Sequence, residues 1–154
     1  MRHDDLKAFL DQVGDYRCRV RRCEYQIAAL QSKCEKSTSA WRTDGGGGSA
    51  GSDIHKEANL ISLCEKRDML VQLLEEQSAA VASVENFISL LPDYRHRVIM
   101  QMRYVDLLRW SEISSELEAS GLPYSERQMY NLHGSAIKAA RKLWDERCKC
   151  DDET

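Results

Sequence analysis

At 154 residues the chain has room for one ordinary domain or for two small modules, and none for a large catalytic core. Apolar residues make up 42% and charged residues 31%, a balance that excludes wholesale disorder and favours helices with one solvated face. The formal charge of −3 argues against indiscriminate nucleic-acid binding; without a bilayer-length apolar run or the basic-then-apolar order of a signal peptide, a soluble cytoplasmic protein with no membrane partner is expected.

From Leu6 the positions Leu6, Phe9, Val13, Tyr16, Val20, Cys23, Ile27, Leu30, Cys34, Ser37 and Trp41 recur in alternating steps of three and four, a heptad seam on one long helix. Residues 44–53 hold five of the eight glycines and read as a flexible connector. A second helix over about 54–91 carries Leu60, Cys64, Val71, Leu74, Val81, Val84, Ile88 and Leu91 on its predicted seam. It is expected to return antiparallel to the first, making residues 1–91 a coiled-coil hairpin. Ile61, Leu63, Met69, Leu70 and Leu73 lie beyond that seam and predict a homodimer, with a folded-back C-terminal module as the other way to cover them. For Arg17, Arg19, Arg21 and Arg22 the favoured reading is a solvated face paired with nearby acids, over a nucleic-acid or polymerase contact, and no site is assigned to them.

Pro92 ends the hairpin, and residues 92–147 follow with the pattern of three helices. Val98, Ile99, Met102, Val105 and Leu108 form the expected core stripe of the first; Trp110, Ile113 and Leu117 that of the second. Gly121 and Pro123 break the chain, and Ser125 with Gln128 is a capping box opening a third helix with Met129, Leu132, Ala136, Ile137, Ala140 and Leu143 inside. Two short helices joined by a glycine-containing turn, the second basic, suggest a helix-turn-helix. Between residues 124 and 144, Arg127, Lys138, Arg141 and Lys142 stand against Glu126 alone, whereas residues 148–154 form an acidic tail. A focused basic face of that kind suits phosphate contacts.

Leu91-Pro92-x-x-Arg95, Met102-Arg103-Tyr104, Trp110-Ser111-Glu112-Ile113 and Ser125-Glu126-Arg127-Gln128-Met129 resemble region four of bacterial sigma factors, the module that reads the promoter −35 element. Tyr124-Ser125 through Leu132-His133-Gly134, placed behind a glycine-loop helical hairpin, is similar to phage transcriptional regulators of the RinA and ArpU type. The resemblance implies an all-α fold, a late-gene regulator of a phage acting with host RNA polymerase, and double-stranded DNA as partner. It places the base-reading positions on Glu126, Arg127, Gln128, Tyr130 and Asn131. Their chemistry suits base reading, since Arg grips guanine, Gln or Asn grips adenine, and Glu accepts from cytosine. Ser125 with the helix N-terminus would hold a phosphate, and Lys138 and Arg141 would track the backbone. Two departures stand out. Seven residues separate Leu117 from Ser125 where the family pattern has about two, and Leu107 and Arg109 occupy the places of a glycine and a capping hydroxyl.

The six cysteines at 18, 23, 34, 64, 148 and 150 read as reduced apolar filling, with Cys34 and Cys64 placed to face each other across the hairpin. The Cys148-x-Cys150 pair lacks further ligands, so neither a metal nor a cofactor is expected. His133 has no carboxylate partner in the sequence pattern and reads as packing, and no catalytic residues are assigned: the chain is not expected to be an enzyme. Gly134, in mid-helix, suggests close approach by another backbone or side chain. The competing functions are a DNA-packaging or assembly protein using the same two modules and a protein-binding adaptor without DNA contact.

Overall fold

The computed structural model describes residues 3–41 and 50–151. The described elements are α1 (His3–Trp41), α2 (Ala50–Ser89), α3 (Tyr94–Met100), a π-helical turn (Gln101–Val105), α4 (Trp110–Ala119) and α5 (Glu126–Asp151). The class is all-α, as the periodicity predicts. Among the described residues no helix is long and apolar enough to cross a membrane. Residues 44–49 of the expected connector lie outside the described residues, while 50–53 already belong to α2; residues 148–151 of the expected tail continue α5 and 152–154 lie outside.

Two compact units emerge, residues 16–77 and a second built from residues 1–15 together with 78–154. In the unit of residues 16–77, Val20, Cys23 and Ile27 of α1 and Leu63 of α2 are buried. Leu30, Leu70 and Leu73 pack against the cluster of Cys23, Ile27 and Leu63, and the Cys23 thiol donates to the Lys66 carbonyl at 3.3 Å. The α1 seam is the predicted one there, although the side chains of Ser37 and Trp41 lie outside the described residues.

On α2 the predicted seam is wrong in this unit. Leu60, Val71 and Leu74 are 53%, 58% and 45% exposed, and Cys64 is exposed as well. Leu63, Leu70 and Leu73, surplus surface by the sequence pattern, form the core instead. The two stripes lie side by side with the same spacing, and Arg67 falls in the rejected one. Each stripe carries one cation, Arg67 in the exposed one and the half-buried Lys66 in the other, so charge alone does not set the register. Cys64 consequently faces outward, while Cys34 is half-buried.

The other unit holds the start of α1, the end of α2 and the helices that follow. Leu6, Leu10 and Val13 of α1 and Ala80, Val84, Phe87 and Ile88 of α2 are buried together with Ile99, Met100, Ile113, Leu117, Met129, Ala136 and Ala140. The rings of Phe9, Phe87 and Trp144 meet edge-on or tilted with centroids 4.9–5.6 Å apart, tying α1, α2 and α5 into one cluster. Each buried side chain of that size is worth about 1.5–3 kcal/mol, and residues 92–147 share this unit with the start of α1 and the end of α2.

After Pro92, Asp93 caps α3 by accepting from the Arg95 N–H at 2.9 Å, and the Arg97 guanidinium donates to the Leu91 and Pro92 carbonyls. The π turn, in which the Asp106 N–H reaches the Gln101 carbonyl at 3.0 Å, spends an extra residue per turn and shifts the stripe. Met100, absent from the predicted stripe, is fully buried at the end of α3, while Val98, Met102, Val105 and Leu108 are only half-buried.

Candidate nucleic-acid interface

The sequence that positions α5 starts at the end of α4. Gly121 takes φ +78°, its N–H reaches the Glu118 carbonyl at 3.0 Å, and the Leu122 N–H reaches the Leu117 carbonyl at 2.9 Å. This is a Schellman cap, which needs a residue without a β-carbon at that point. Pro123 and Tyr124 then lead to Ser125, whose N–H donates to Gln128 Oε1 at 2.9 Å while its Oγ accepts from the Gln128 N–H at 3.3 Å. The long turn is thus closed at both ends by defined caps.

One face of α5 is inside. Met129, Ala136 and Ala140 are at most 1% exposed, and α5 packs on α3. The small alanines let the helix axes approach, as ridge-and-groove packing requires. Trp110 at the start of α4 touches Tyr130 and His133 of α5, at 5.0 and 4.9 Å between ring centroids, and the Arg103 guanidinium covers Trp110 at 4.9 Å. These contacts pin the first turns of α5 against α4.

His133 belongs to that packing. Its Nε2 meets the Tyr104 hydroxyl at 3.1 Å and its ring stacks on Tyr104. Burial, with the Arg103 charge adding to it, holds the imidazole below its ordinary value, and burial raises the Tyr104 hydroxyl. His133 borders a cleft of about 420 Å³ shared with Lys7, Asp11 and Arg103. Among the described residues no three His, Cys, Asp or Glu side chains gather to hold a metal ion.

The outer face carries Arg127, Asn131, Gly134, Lys138 and Lys142, spaced four, three, four and four residues apart and all exposed. That spacing puts them on one stripe opposite Met129 and Ala136. No acid interrupts the stripe. Of the contact residues expected from sequence, Arg127, Asn131 and Lys138 therefore come together. Glu126 and Tyr130 lie to one side, joined by a Tyr130 hydroxyl to Glu126 Oε1 contact of 3.4 Å. Ser125 and Gln128 are exposed but committed to the cap. Arg141 is half-buried and has an interaction of its own within the chain. Lys142 is not among the contact residues that the resemblance implies, although counting helical turns from Arg127 reaches it. A β-carbon built at Gly134 meets nothing within 4 Å, so among the described residues nothing makes the close approach expected there. No family model, curated protein or solved structure matches the chain.

Proposed function

We propose that the chain is a DNA-binding transcription regulator in which α4 and α5 act as a helix-turn-helix, borne on an antiparallel hairpin of α1 and α2. The observation that carries this reading is the acid-free stripe of Arg127, Asn131, Lys138 and Lys142 on the outer face of a helix anchored on its other side. A helix of that width enters the major groove. Arg127 and Lys138 lie about 16 Å apart along the axis, more than the groove's width of about 12 Å. They consequently do different work: Arg127 and Asn131 face base edges at the leading end, and Lys138 and Lys142 meet phosphates. Ser125 and the first N–H groups of α5 add a phosphate contact.

In this reading the protein is phage-encoded, works with host RNA polymerase and pairs with a second copy through the exposed Leu60, Ile61, Val71 and Leu74 of α2. Two recognition helices on a two-fold dimer would select a repeated or palindromic site. Footprinting on the genome that encodes the protein, with and without host polymerase, tests the proposal. Discrete protected sites that Arg127→Ala abolishes are expected; uniform weak binding with no protected site would refute it.

A further inference from the structure

In the unit of residues 16–77, a groove of about 310 Å³ runs between α1 and α2. Arg19 and Arg22 stand on its α1 wall and Lys66 on its α2 wall, with Cys23, Met69 and Leu73 also lining it. Arginines on this stretch of α1 are expected to be paired with acids, but none of these three cations forms an ion pair among the described residues. Arg19 instead lies over the Tyr16 ring at 5.4 Å. Met69 is 48% exposed, an unbranched thioether left in water within reach of three cations.

From this combination we infer that the groove is a docking site for an acidic, apolar-bearing segment of a partner protein. Cations on both walls call for carboxylates, and the methionine and leucine call for aliphatic or aromatic side chains between them. A duplex backbone satisfies only the first requirement, because its phosphates leave Met69 in water. Such a segment would use the arginines for orientation and encounter rate and the apolar contacts for residence. The groove does not depend on α5 or on the reading of α5 as a DNA reader.

The test uses the full-length protein and a short fluorescein-labelled peptide in which leucine and phenylalanine recur every three or four residues among glutamates and aspartates. Polyglutamate of equal charge and a random duplex are titrated in parallel, with anisotropy as readout. The acidic-apolar peptide is expected to bind about tenfold more tightly than polyglutamate, and Arg19→Gln with Arg22→Gln to weaken it about tenfold. Met69→Ala is expected to weaken the peptide and leave polyglutamate unchanged. Circular dichroism checks the fold of each variant, and Lys66→Gln probes the opposite wall should the double variant lose helix. Equal affinity for peptide and polyglutamate, or no peptide binding, overturns the inference. So does duplex binding that depends on Arg19 and Arg22, which would make this a nucleic-acid face, or self-association lost in the same variants, which would make the occupant a second copy.

Discussion

Ser125 and Gln128 exchange two hydrogen bonds across the first turn of α5, N–H to Oε1 at 2.9 Å in one direction and N–H to Oγ at 3.3 Å in the other. Gripping adenine takes both the oxygen and the amide nitrogen of a glutamine, and here the oxygen is already occupied. Gln128 thus holds the backbone that aims Arg127. Ser125→Ala is expected to cost about 1 kcal/mol in urea unfolding, and the double change with Gln128→Ala less than the sum of the two single ones. Gln128→Ala should leave base preference in selected DNA pools unchanged. Relaxed preference at unchanged stability would make Gln128 a base reader after all.

The four cations of α5 are expected to separate by role. Arg127→Ala should lose about 1–3 kcal/mol on the preferred site and little on random duplex. Lys138→Ala and Lys142→Ala should weaken all sequences alike, each lowering the slope of log K against log salt by about 1. Arg141→Ala should lower stability more than affinity, because Arg141 is half-buried and engaged within the chain. A slope near zero for the wild type on its footprinted site would remove the DNA reading altogether.

Gly134 sits in the middle of the same stripe with open space over it. A glycine inside a helix costs about 1 kcal/mol relative to alanine, and no contact within the chain offsets that cost. Gly134→Ala should therefore raise the melting temperature. If the space is where the DNA approaches, the same change should weaken binding, and the two effects will have opposite signs. Higher stability with unchanged affinity would leave the glycine without a role in the interface.

The His133 imidazole, held below its ordinary value by burial and by Arg103, predicts a pH effect on stability. Between its folded pKa and the unfolded value of about 6.5 the unfolded chain binds more protons, so stability rises with pH in that window. The contribution is present above about 6.5 and is lost as pH falls through the folded pKa. The lowered Asp93 carboxyl acts below 3.8, and the Asp106 carboxyl, raised by partial desolvation and the nearby Glu85, acts with the opposite sign above 3.8. His133→Phe keeps an aromatic ring beside Trp110 and removes the titration. Its stability should vary less than that of the wild type just below pH 6.5; identical slopes would show that His133 is not the titrating group.

The helical class, the α1 seam and the caps that end α4 and open α5 were legible because each follows from local chemistry: apolar spacing, Gly121 and the Ser125–Gln128 pair. The register of α2 was not legible from spacing alone, since two stripes of equal period lie side by side. The π turn was hidden for a different reason. No residue type announces it. Leu107, by contrast, takes φ +57° where the resembling family has glycine, so the pattern there reported a backbone demand that this chain meets with strain. Within the proposed site, the resemblance named Arg127, Asn131 and Lys138. It did not separate Gln128 and Arg141 from them, because what occupies those two side chains is visible only in three dimensions.

The corrected register also changes how association is tested. Leu70 packs against the Cys23, Ile27 and Leu63 cluster, so Leu70→Glu should unfold the unit of residues 16–77 whatever the oligomeric state. Leu74, 45% exposed on the outward stripe with Leu60 and Val71, is the informative position. Burying side chains of that size against a second copy would gain about 1.5–3 kcal/mol each, enough for association at micromolar concentration if several are covered. Sedimentation equilibrium of the wild type and Leu74→Glu is expected to give a dimer and a folded monomer, the latter without cooperative DNA binding. A wild type that sediments as a monomer, with helix content and stability unaffected by Leu74→Glu, would show that the stripe is ordinary exposed surface and that the recognition helix acts singly.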